Sequence, residues 1–264
     1  WSAPARLPVI KISELGLKPT ELGGGKQTKS MRLEDAQGKE WVIRSIEKNP
    51  EILLPEPWRQ TFAKDWLLDA MGAQHPYAPL IVPVLADAVD VPHASPVIGW
   101  VAPDSALGQY SSIFANTLCL LEEREPAGNT DNTLKMMERL DADNDNTVDT
   151  ATFFRARLLD FFLGDWDRHA DQWRWADEQK GHNKKYLPVP RDRDQALYRN
   201  EGLVPNTASR KWIAPFLTGF EGPIKRGNTF FITGSQLNGR LFVQLTYEQW
   251  MQYTRDFVSR LSDS

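Results

Sequence analysis

The stretch FLGDWDRHADQWRW, residues Phe162–Trp175, follows a long apolar segment and sets charged groups among aromatic ones. It contains three aspartates, a histidine and a glutamine. Charged side chains are costly to bury without partners, so this density of polar groups needs a cause. Because Gly164 stands between the apolar segment and the aspartates, the pattern predicts a core helix that ends at this glycine and is followed by a polar loop.

The segments on either side of this stretch predict how the loop is held. Residues 150–163 carry phenylalanines and leucines on a broad apolar face, which indicates a helix. After the loop, QWRW alternates like a strand, DEQKGHNKK has the composition of a turn, and KYLPVP is typical of a return strand. We therefore expect Gln172 and Asp192 at adjacent ends of a hairpin.

The hairpin would gather several carboxylates at one end. Asp165 and Asp167 precede it, and Asp192 and Asp194 follow it in PRDRDQALYR. Such a cluster repels itself unless cations neutralise it, and hard oxygen ligands favour Mg²⁺ or Mn²⁺ held together with substrate phosphates. The alternative is a salt-bridged loop in which the neighbouring arginines pair the aspartates.

Composition sets the outer limits. The 264 residues, 41% of them hydrophobic, are enough for one large domain or two joined lobes. The formal net charge of −4 gives no indication of sequence-independent nucleic-acid binding, and no apolar run is long enough to predict a membrane span. The single cysteine, Cys119 in NTLCLL, cannot form an intramolecular disulfide and is predicted to be a buried structural thiol.

The first half of the chain reads as strands around one helix. A hairpin is predicted through Met31 and Leu33 and back through residues 41–46, and a helix over residues 61–71. PLIVPVLADAVDV and PVIGWVA are interpreted as short strands interrupted by prolines, and NTLCLLEER as a buried strand. The second half is more helical, with amphipathic helices in DNTLKMMERL and in LTYEQWMQYTRDFVSRL.

One further motif, DADNDNTVD from Asp141, partly follows a calcium-loop pattern. Aspartates occupy positions 1, 3, 5 and 9, but Asn146 replaces the glycine of position 6 and Thr152 the glutamate of position 12. We expect a degenerate loop or an acidic cap at a helix N-terminus rather than a calcium site.

Two short motifs carry a resemblance to known families. DWDRHADQ resembles the D-R-H-x-x-N catalytic loop of atypical kinases of the HipA and phosphatidylinositol-kinase type. YLPVPRDRDQAL is similar to the W-D-x-D-x-x-F metal segment of spore-coat CotH kinases. The larger block around both motifs resembles a kinase-like domain of bacterial polypeptides that carry metallophosphoesterase or outer-membrane-barrel segments elsewhere in the chain.

The resemblance implies an α+β, bilobal protein-kinase-like fold. Residues 1–124 would form a β-rich N-lobe with the nucleotide clamp and hinge, and residues 125–264 a mainly helical C-lobe with a catalytic hairpin. It also implies roles for individual residues of the second half. Asp167 would be the catalytic aspartate, braced by Arg168 and His169, and the metal ligands would be Asp194, with Asp192 as its rival or partner, and Gln172 where the family usually has asparagine.

The nucleotide clamp is expected in the first half. The glycines of GGGKQTKS would let backbone N–H groups approach phosphates, although a flexible approach to a hairpin explains them equally well. Arg44 stands where the family has the phosphate-binding lysine, and an arginine fork is not a simple replacement for an ammonium group. The candidate nucleotide-binding residues are Gly24, Gly25, Lys29, Arg44, Asp69 and Glu122.

Together with the carboxylate cluster, the resemblance implies an ATP- and Mg²⁺- or Mn²⁺-dependent phosphotransferase that acts on a protein or small-molecule hydroxyl. The alternative is an inactive nucleotide-binding or interaction module of a larger bacterial envelope protein, which Arg44 and Gln172 favour. Metal-dependent hydrolysis is a third reading, weakened by the presence of only four histidines. The resemblance alone suggests a location in the bacterial envelope or periplasm and a membrane-associated neighbouring domain.

Overall fold

The computed structural model describes residues 6–23, 29–47, 56, 74–178, 183–199, 219–220, 222 and 227–261. The chain divides into two compact units. Unit 1 comprises Trp1–Leu68 and Ala94–Pro126, and unit 2 comprises Asp69–His93 and Ala127–Ser264. The chain crosses between the units three times, and the last crossing, after Pro126, lies two residues from the expected boundary at 124, while residues 69–93 group with unit 2.

Unit 1 is built on a six-stranded mixed sheet in the order β1-β5-β6-β4-β3-β2. Only the β1–β5 pair is parallel. The strands are β1 (Val9–Ile10), β2 (Lys18–Gly23), β3 (Ser30–Glu34), β4 (Glu40–Ser45), β5 (Val97–Val101) and β6 (Thr117–Glu123). A 3-10 turn over Ser105–Tyr110 and the short helix α2 (Ser111–Phe114) connect β5 to β6.

The predicted first hairpin is confirmed as β3 and β4. Met31 pairs with Ile43 and Leu33 with Trp41 in antiparallel register. Met31 and Leu33 of β3 are fully buried and their neighbours are not, as the apolar-polar alternation predicts for a sheet with one packed face. In β4 the consecutive residues Val42 and Ile43 are both buried. The buried face forms a separate core with Ile10, Leu121 and Phe114. The helix predicted over residues 61–71 lies outside the described residues.

Cys119 lies in this core and is fully buried. Burial raises the pKa of its thiol, which a contact to the Thr117 hydroxyl at 3.3 Å only partly offsets. Because the thiolate is the reactive form, we expect no labelling of the native chain by a thiol-specific reagent at pH 8, and complete labelling of one thiol per chain in denaturant. Labelling of the native chain as fast as that of the denatured chain would contradict the assignment of Cys119 as a buried thiol.

Unit 2 combines helices with a small four-stranded sheet in the order β7-β9-β10-β8. Its strands are β7 (Thr130–Asn132), β8 (Thr147–Val148), β9 (Trp173–Asp177) and β10 (Lys185–Pro190). Its helices are α1 (Ala78–Ala88), α3 (Thr133–Ala142), α4 (Thr150–Leu163), α5 (Gly227–Phe230), α6 (Ser235–Phe242) and α7 (Tyr247–Arg260). The α+β class, the β-rich first unit and the helical second unit with its hairpin are therefore as predicted.

Helix α1 corrects one expectation. PLIVPVLADAVDV, interpreted as short strands, forms a helix over Ala78–Ala88. Its first proline occupies the first turn, where a backbone N–H has no helical partner in any case, and Pro83 is accommodated inside the helix. Ala78, Val82 and Ala86 are buried at a spacing of four residues, which is a helical period and not the alternation of a strand.

The helix and hairpin that flank the opening stretch are confirmed. Helix α4 ends at Gly164, which adopts the left-handed conformation with φ 68° and donates its N–H to the carbonyls of the last turn. That conformation favours glycine because it has no Cβ. Strands β9 and β10 pair antiparallel, with Trp173 opposite Pro190. The core of unit 2 packs Phe153 of α4 against Trp173, with ring centroids 4.8 Å apart.

The side chains of the loop that resembles a calcium site bind other residues of unit 2. Asp149 accepts the Thr152 N–H at 2.9 Å and caps α4, in agreement with the expected acidic cap. Asn146 binds the Arg139 carbonyl and the Lys184 N–H, each at 2.8 Å. Asp141 pairs with Arg240. These side chains therefore connect the loop to its neighbours.

Within the part of the chain that the structure describes, no helix is both long and apolar enough to cross a membrane.

Candidate active site

Two loops of unit 2 meet at one end of the β9–β10 hairpin. The first runs from Gly164 to Gln172 and closes with a 3-10 turn over Ala170–Gln172. The second follows β10 from Arg191 onward. The Arg191 N–H donates to the Gln172 carbonyl at 2.9 Å, so the two loops are joined through their backbones. Adjacent hairpin ends thus bring the motif DWDRHADQ beside PRDRDQ, as the strand pattern predicts.

Asp167 is a carboxylate of the first loop that keeps access to solvent and has a raised pKa. Its side chain is 30% exposed. Burial raises its pKa above the ordinary value; His169 and Arg168 lower the pKa, and the negative charges of Asp194 and Asp192 raise it. The three carboxylates therefore lie within electrostatic reach of one another. A half-buried carboxylate with a raised pKa is suited to accept a proton, because its basicity is greater than that of an ordinary aspartate.

Asp194, Asp192 and Gln172 are the predicted metal ligands. Asp194 accepts from the Gln195 amide at 3.2 Å and from the Gln74 amide at 3.5 Å. Asp192 has φ 52°, a left-handed conformation that is uncommon outside glycine, asparagine and aspartate. In the described part of the chain no set of three or more His, Cys, Asp and Glu side chains is arranged to hold a metal ion. Two carboxylates and an amide still match the chemistry of Mg²⁺, which usually takes one or two protein carboxylates and completes its shell with phosphate and water.

The side chain of Arg168 is hydrogen-bonded to both loops. Its guanidinium donates to the Arg191 carbonyl at 2.6 Å and to the Gln172 carbonyl at 3.1 Å. The side chain is fully buried, and its guanidinium carbon lies 5.0 Å from the centre of the Trp173 ring. One side chain therefore holds the first residue after the hairpin and the last residue before it, which is the geometry that a bracing residue needs.

Asp160 of α4 is the centre of a buried charge cluster beneath these loops. It contacts Arg157 at 2.6 Å, Arg193 at 2.9 Å and Arg168 at 3.4 Å. Asp160 and Arg168 are fully buried, and the Arg157 and Arg193 side chains are 3% and 8% exposed. Because Arg168 belongs to the first loop and Arg193 to the second, one carboxylate anchors both of them to helix α4.

Asp165 is a second buried carboxylate at the edge of this cluster. Its nearest cation is the Arg168 guanidinium at 3.8 Å. Burial raises the pKa of Asp165 to about 7, although Arg168 lowers it. Its backbone N–H donates to the Asp160 carbonyl at 2.8 Å, directly after the helix end.

The His169 ring lies close to both Asp167 and Gln172, the motif residues on either side of it. Its Nδ1 accepts the Asp171 N–H at 3.3 Å, and its Nε2 lies 3.9 Å from Asp167 Oδ1. The same Nε2 lies 3.4 Å from the Gln172 amide nitrogen. The Gln172 amide is therefore in contact with His169. An amide that served only as a metal ligand would not need this contact.

Three of the predicted nucleotide-binding residues, Lys29, Arg44 and Glu122, lie in described segments of unit 1. Arg44 and Glu122 face each other across β4 and β6, with 3.4 Å between guanidinium and carboxylate. Glu122 is opposite Val42 in the sheet, so it lies within strand β6. Lys29 is exposed, and its backbone is hydrogen-bonded to Ser45. Gly24, Gly25 and Asp69 lie outside the described residues.

Two residues that bear on the site were not singled out from the sequence: Asp160 and Thr233. The signal for Asp160 was available, because Arg157 and Asp160 are oppositely charged residues three apart on a predominantly apolar helix. Thr233 carried no signal, since it lies 65 residues after Arg168 and contacts that loop only through tertiary packing.

Comparisons with known proteins give structural matches only. No family model matches the sequence, and no similar curated protein was found. Three solved structures to which the chain is similar illustrate the matches. The Helicobacter pylori proinflammatory kinase CtkA has 12% identity and a TM-score of 0.46, covering 97% of this chain and 84% of that one.

The second is the Rio2 kinase of Chaetomium thermophilum in an ADP/Mg²⁺-phosphoaspartate complex, with 10% identity and a TM-score of 0.39 over 92% of this chain and 71% of that one. The third is WaaP in complex with acyl carrier protein, with 9% identity and a TM-score of 0.35 over 93% and 89%. Two of the three are kinases by name. All three TM-scores are below 0.5, so the functional conclusion below rests on the residues of the site.

Proposed function

We propose that this chain is an ATP- and Mg²⁺- or Mn²⁺-dependent phosphotransferase of atypical kinase-like fold, which transfers phosphate to the hydroxyl of a protein or small molecule. The observation that carries the proposal is the position of Asp167. This carboxylate is half-buried, has a raised pKa, and lies within electrostatic reach of two further carboxylates on the loop that follows the hairpin.

The residues of unit 2 support a direct transfer. Asp167 would accept the proton of the acceptor hydroxyl while the hydroxyl oxygen bonds to the γ-phosphorus of ATP. The bond from that phosphorus to the oxygen it shares with the β-phosphate breaks, and ADP leaves with the electron pair. Asp194, Asp192 and Gln172 would hold the metal ion, which when bound neutralises phosphate charge. Arg168 keeps the two loops that carry these groups in register.

A second candidate is a nucleotide-binding module without transferase activity. Two observations favour it. Arg44, in the place of the phosphate-binding lysine, is already paired with Glu122, and Gln172 contacts His169 through its amide. The suggested relation to bacterial envelope fusion proteins, with its envelope or periplasmic location, belongs with this candidate.

ATP labelled on either its α- or its γ-phosphate separates these candidates. We expect label from γ-labelled ATP to reach the chain itself or a member of a protein and small-molecule acceptor panel in the presence of Mg²⁺ or Mn²⁺. Transfer of the α-label instead would show nucleotide transfer and would contradict phosphate transfer. Metal-dependent ATP binding with no transfer of either label would favour the binding module.

A further inference from the structure

The hydroxyl of Thr233 contacts the backbone on both sides of Asp167. Thr233 lies between α5 and α6 in the sequence, far from the loop. Its Oγ1 donates to the Trp166 carbonyl and accepts the Arg168 N–H at 3.4 Å. The Arg168 N–H also points to the Trp166 carbonyl at 3.1 Å, so the hydroxyl closes a small turn that has Asp167 at its tip.

The segment that carries Thr233 is fitted closely against this turn. A Cβ added at Gly234 would lie 3.2 Å from the Arg168 carbonyl oxygen and 3.0 Å from a guanidinium nitrogen of Arg157. These distances are tighter than normal van der Waals contact, so a side chain at position 234 would require the Arg168 carbonyl and the Arg157 side chain to move by a few tenths of an ångström. The Arg157 Nε also donates to Asn238 Oδ1 at 3.1 Å and ties α6 to α4.

The direction of the Thr233 bonds distinguishes positioning from general packing. Both bonds go to the peptide groups next to Asp167, and neither goes to a side chain of the core. Loss of the hydroxyl removes this donor from the Trp166 carbonyl and releases the turn from the α5–α6 segment, so that only contacts other than those to Thr233 oppose its rotation, among them the Arg168 N–H bond to the same carbonyl. Rotation of the turn moves the Asp167 carboxylate, and misplacement of a reacting group by about 1 Å can cost 10²-fold in rate.

We infer that Thr233 is a positioning residue, which sets the orientation of the Asp167 carboxylate through the peptide groups on its two sides. This inference rests on the proposed function for its effect on rate. Its effect on the backbone does not depend on that function, because the hydrogen bonds exist whatever the loop does.

The test compares Thr233→Val, which keeps the shape and removes both bonds, with Thr233→Ser, which keeps the hydroxyl. Thr254→Val is the matched control, since it removes a hydroxyl-to-carbonyl bond of 2.8 Å within α7. The first measurement is amide hydrogen exchange of the peptide covering residues 164–172. We expect Thr233→Val to speed this exchange roughly tenfold, while the serine variant and the control exchange like the unaltered chain.

The second measurement is kcat and KM for ATP in the transfer assay. Thr233→Val is expected to lower kcat about 10- to 100-fold with KM for ATP almost unchanged, and Thr233→Ser to restore most of kcat. Thr233→Ala replaces the valine variant should that one fail to fold. Exchange and kcat both unchanged in a folded variant without the hydroxyl would overturn the inference, and so would equal losses in the serine and valine variants.

The two proposals fail in different ways. If the unaltered chain transfers no phosphate, the proposed function fails, and the exchange of residues 164–172 still decides whether Thr233 holds the turn. If the chain is active but the valine variant is equally active with unchanged exchange, the positioning role fails and the proposed function stands.

Discussion

Replacement of Asp167 by asparagine is expected to lower phosphate transfer about 10²- to 10⁴-fold, the usual contribution of a positioned general base. Asparagine has the same shape but cannot accept a proton. The loss should therefore appear in kcat, while binding of ATP with Mg²⁺ changes little. The measurement is the rate of transfer from γ-labelled ATP under saturating nucleotide.

Asp171→Asn is the matched control for this variant. Asp171 belongs to the same loop, but its side chain is 97% exposed. Its substitution is expected to change the rate by no more than about twofold, since exposed substitutions of this kind alter energies by roughly 0.5 kcal/mol. Equal losses in both variants, or full activity in Asp167→Asn, would contradict the assignment of Asp167 as the base.

The pH dependence of transfer follows from the same group. Burial and neighbouring charges hold the pKa of Asp167 above its ordinary value. Only the deprotonated carboxylate can accept a proton, so kcat/KM should fall as pH is lowered through this raised pKa. The residual rate of Asp167→Asn should lack that acidic limb.

The largest effect on stability is expected from Asp160→Asn, which should lower the free energy of unfolding by about 3–5 kcal/mol. The substitution leaves the buried guanidinium groups of Arg157, Arg168 and Arg193 without the carboxylate that all three contact. Removing one partner of a buried ion cluster is costly, because the remaining charges stay desolvated. Denaturant unfolding followed by tryptophan fluorescence measures the change.

Two further variants make this prediction specific. Asp141→Asn breaks the ion pair between Asp141 and Arg240, whose side chains are 65% and 53% exposed. This substitution should lower the free energy of unfolding by less than about 1 kcal/mol. The double variant Asp160→Asn with Arg157→Met removes one charge of each sign. Its free energy of unfolding should therefore be higher than that of Asp160→Asn alone. If Asp160→Asn lowers the free energy of unfolding as little as Asp141→Asn does, the charge cluster around Asp160 does not hold the two loops.

The parts of the fold that follow local rules were predictable from the sequence. The end of α4 at Gly164 and the pairing of β9 with β10 depend on a glycine stop and on alternation, which act over a few residues. Helix α1 was misread because its prolines and β-branched residues suggested strands. The four-residue spacing of Ala78, Val82 and Ala86 was the better signal.

The parts of the site that depend on tertiary contact were not predictable in this way. The sequence placed Asp167, Gln172, Asp192 and Asp194 near one hairpin end, because the chain itself connects them. It could not show that Asp160 binds an arginine from each loop, or that Thr233 reaches back over 65 residues to the turn at Asp167. Those contacts arise from the packing of α4 and of the α5–α6 segment.

Calorimetric titration with ATP, with and without Mg²⁺, tests the central claim most directly when the unaltered chain is compared with Asp194→Asn. We expect Mg²⁺ to tighten ATP binding by more than about tenfold, or 1.4 kcal/mol, in the unaltered chain and to have little effect in the variant. ATP binding that is absent, or that is equally strong in both chains with or without Mg²⁺, would contradict a metal-dependent nucleotide site at these carboxylates.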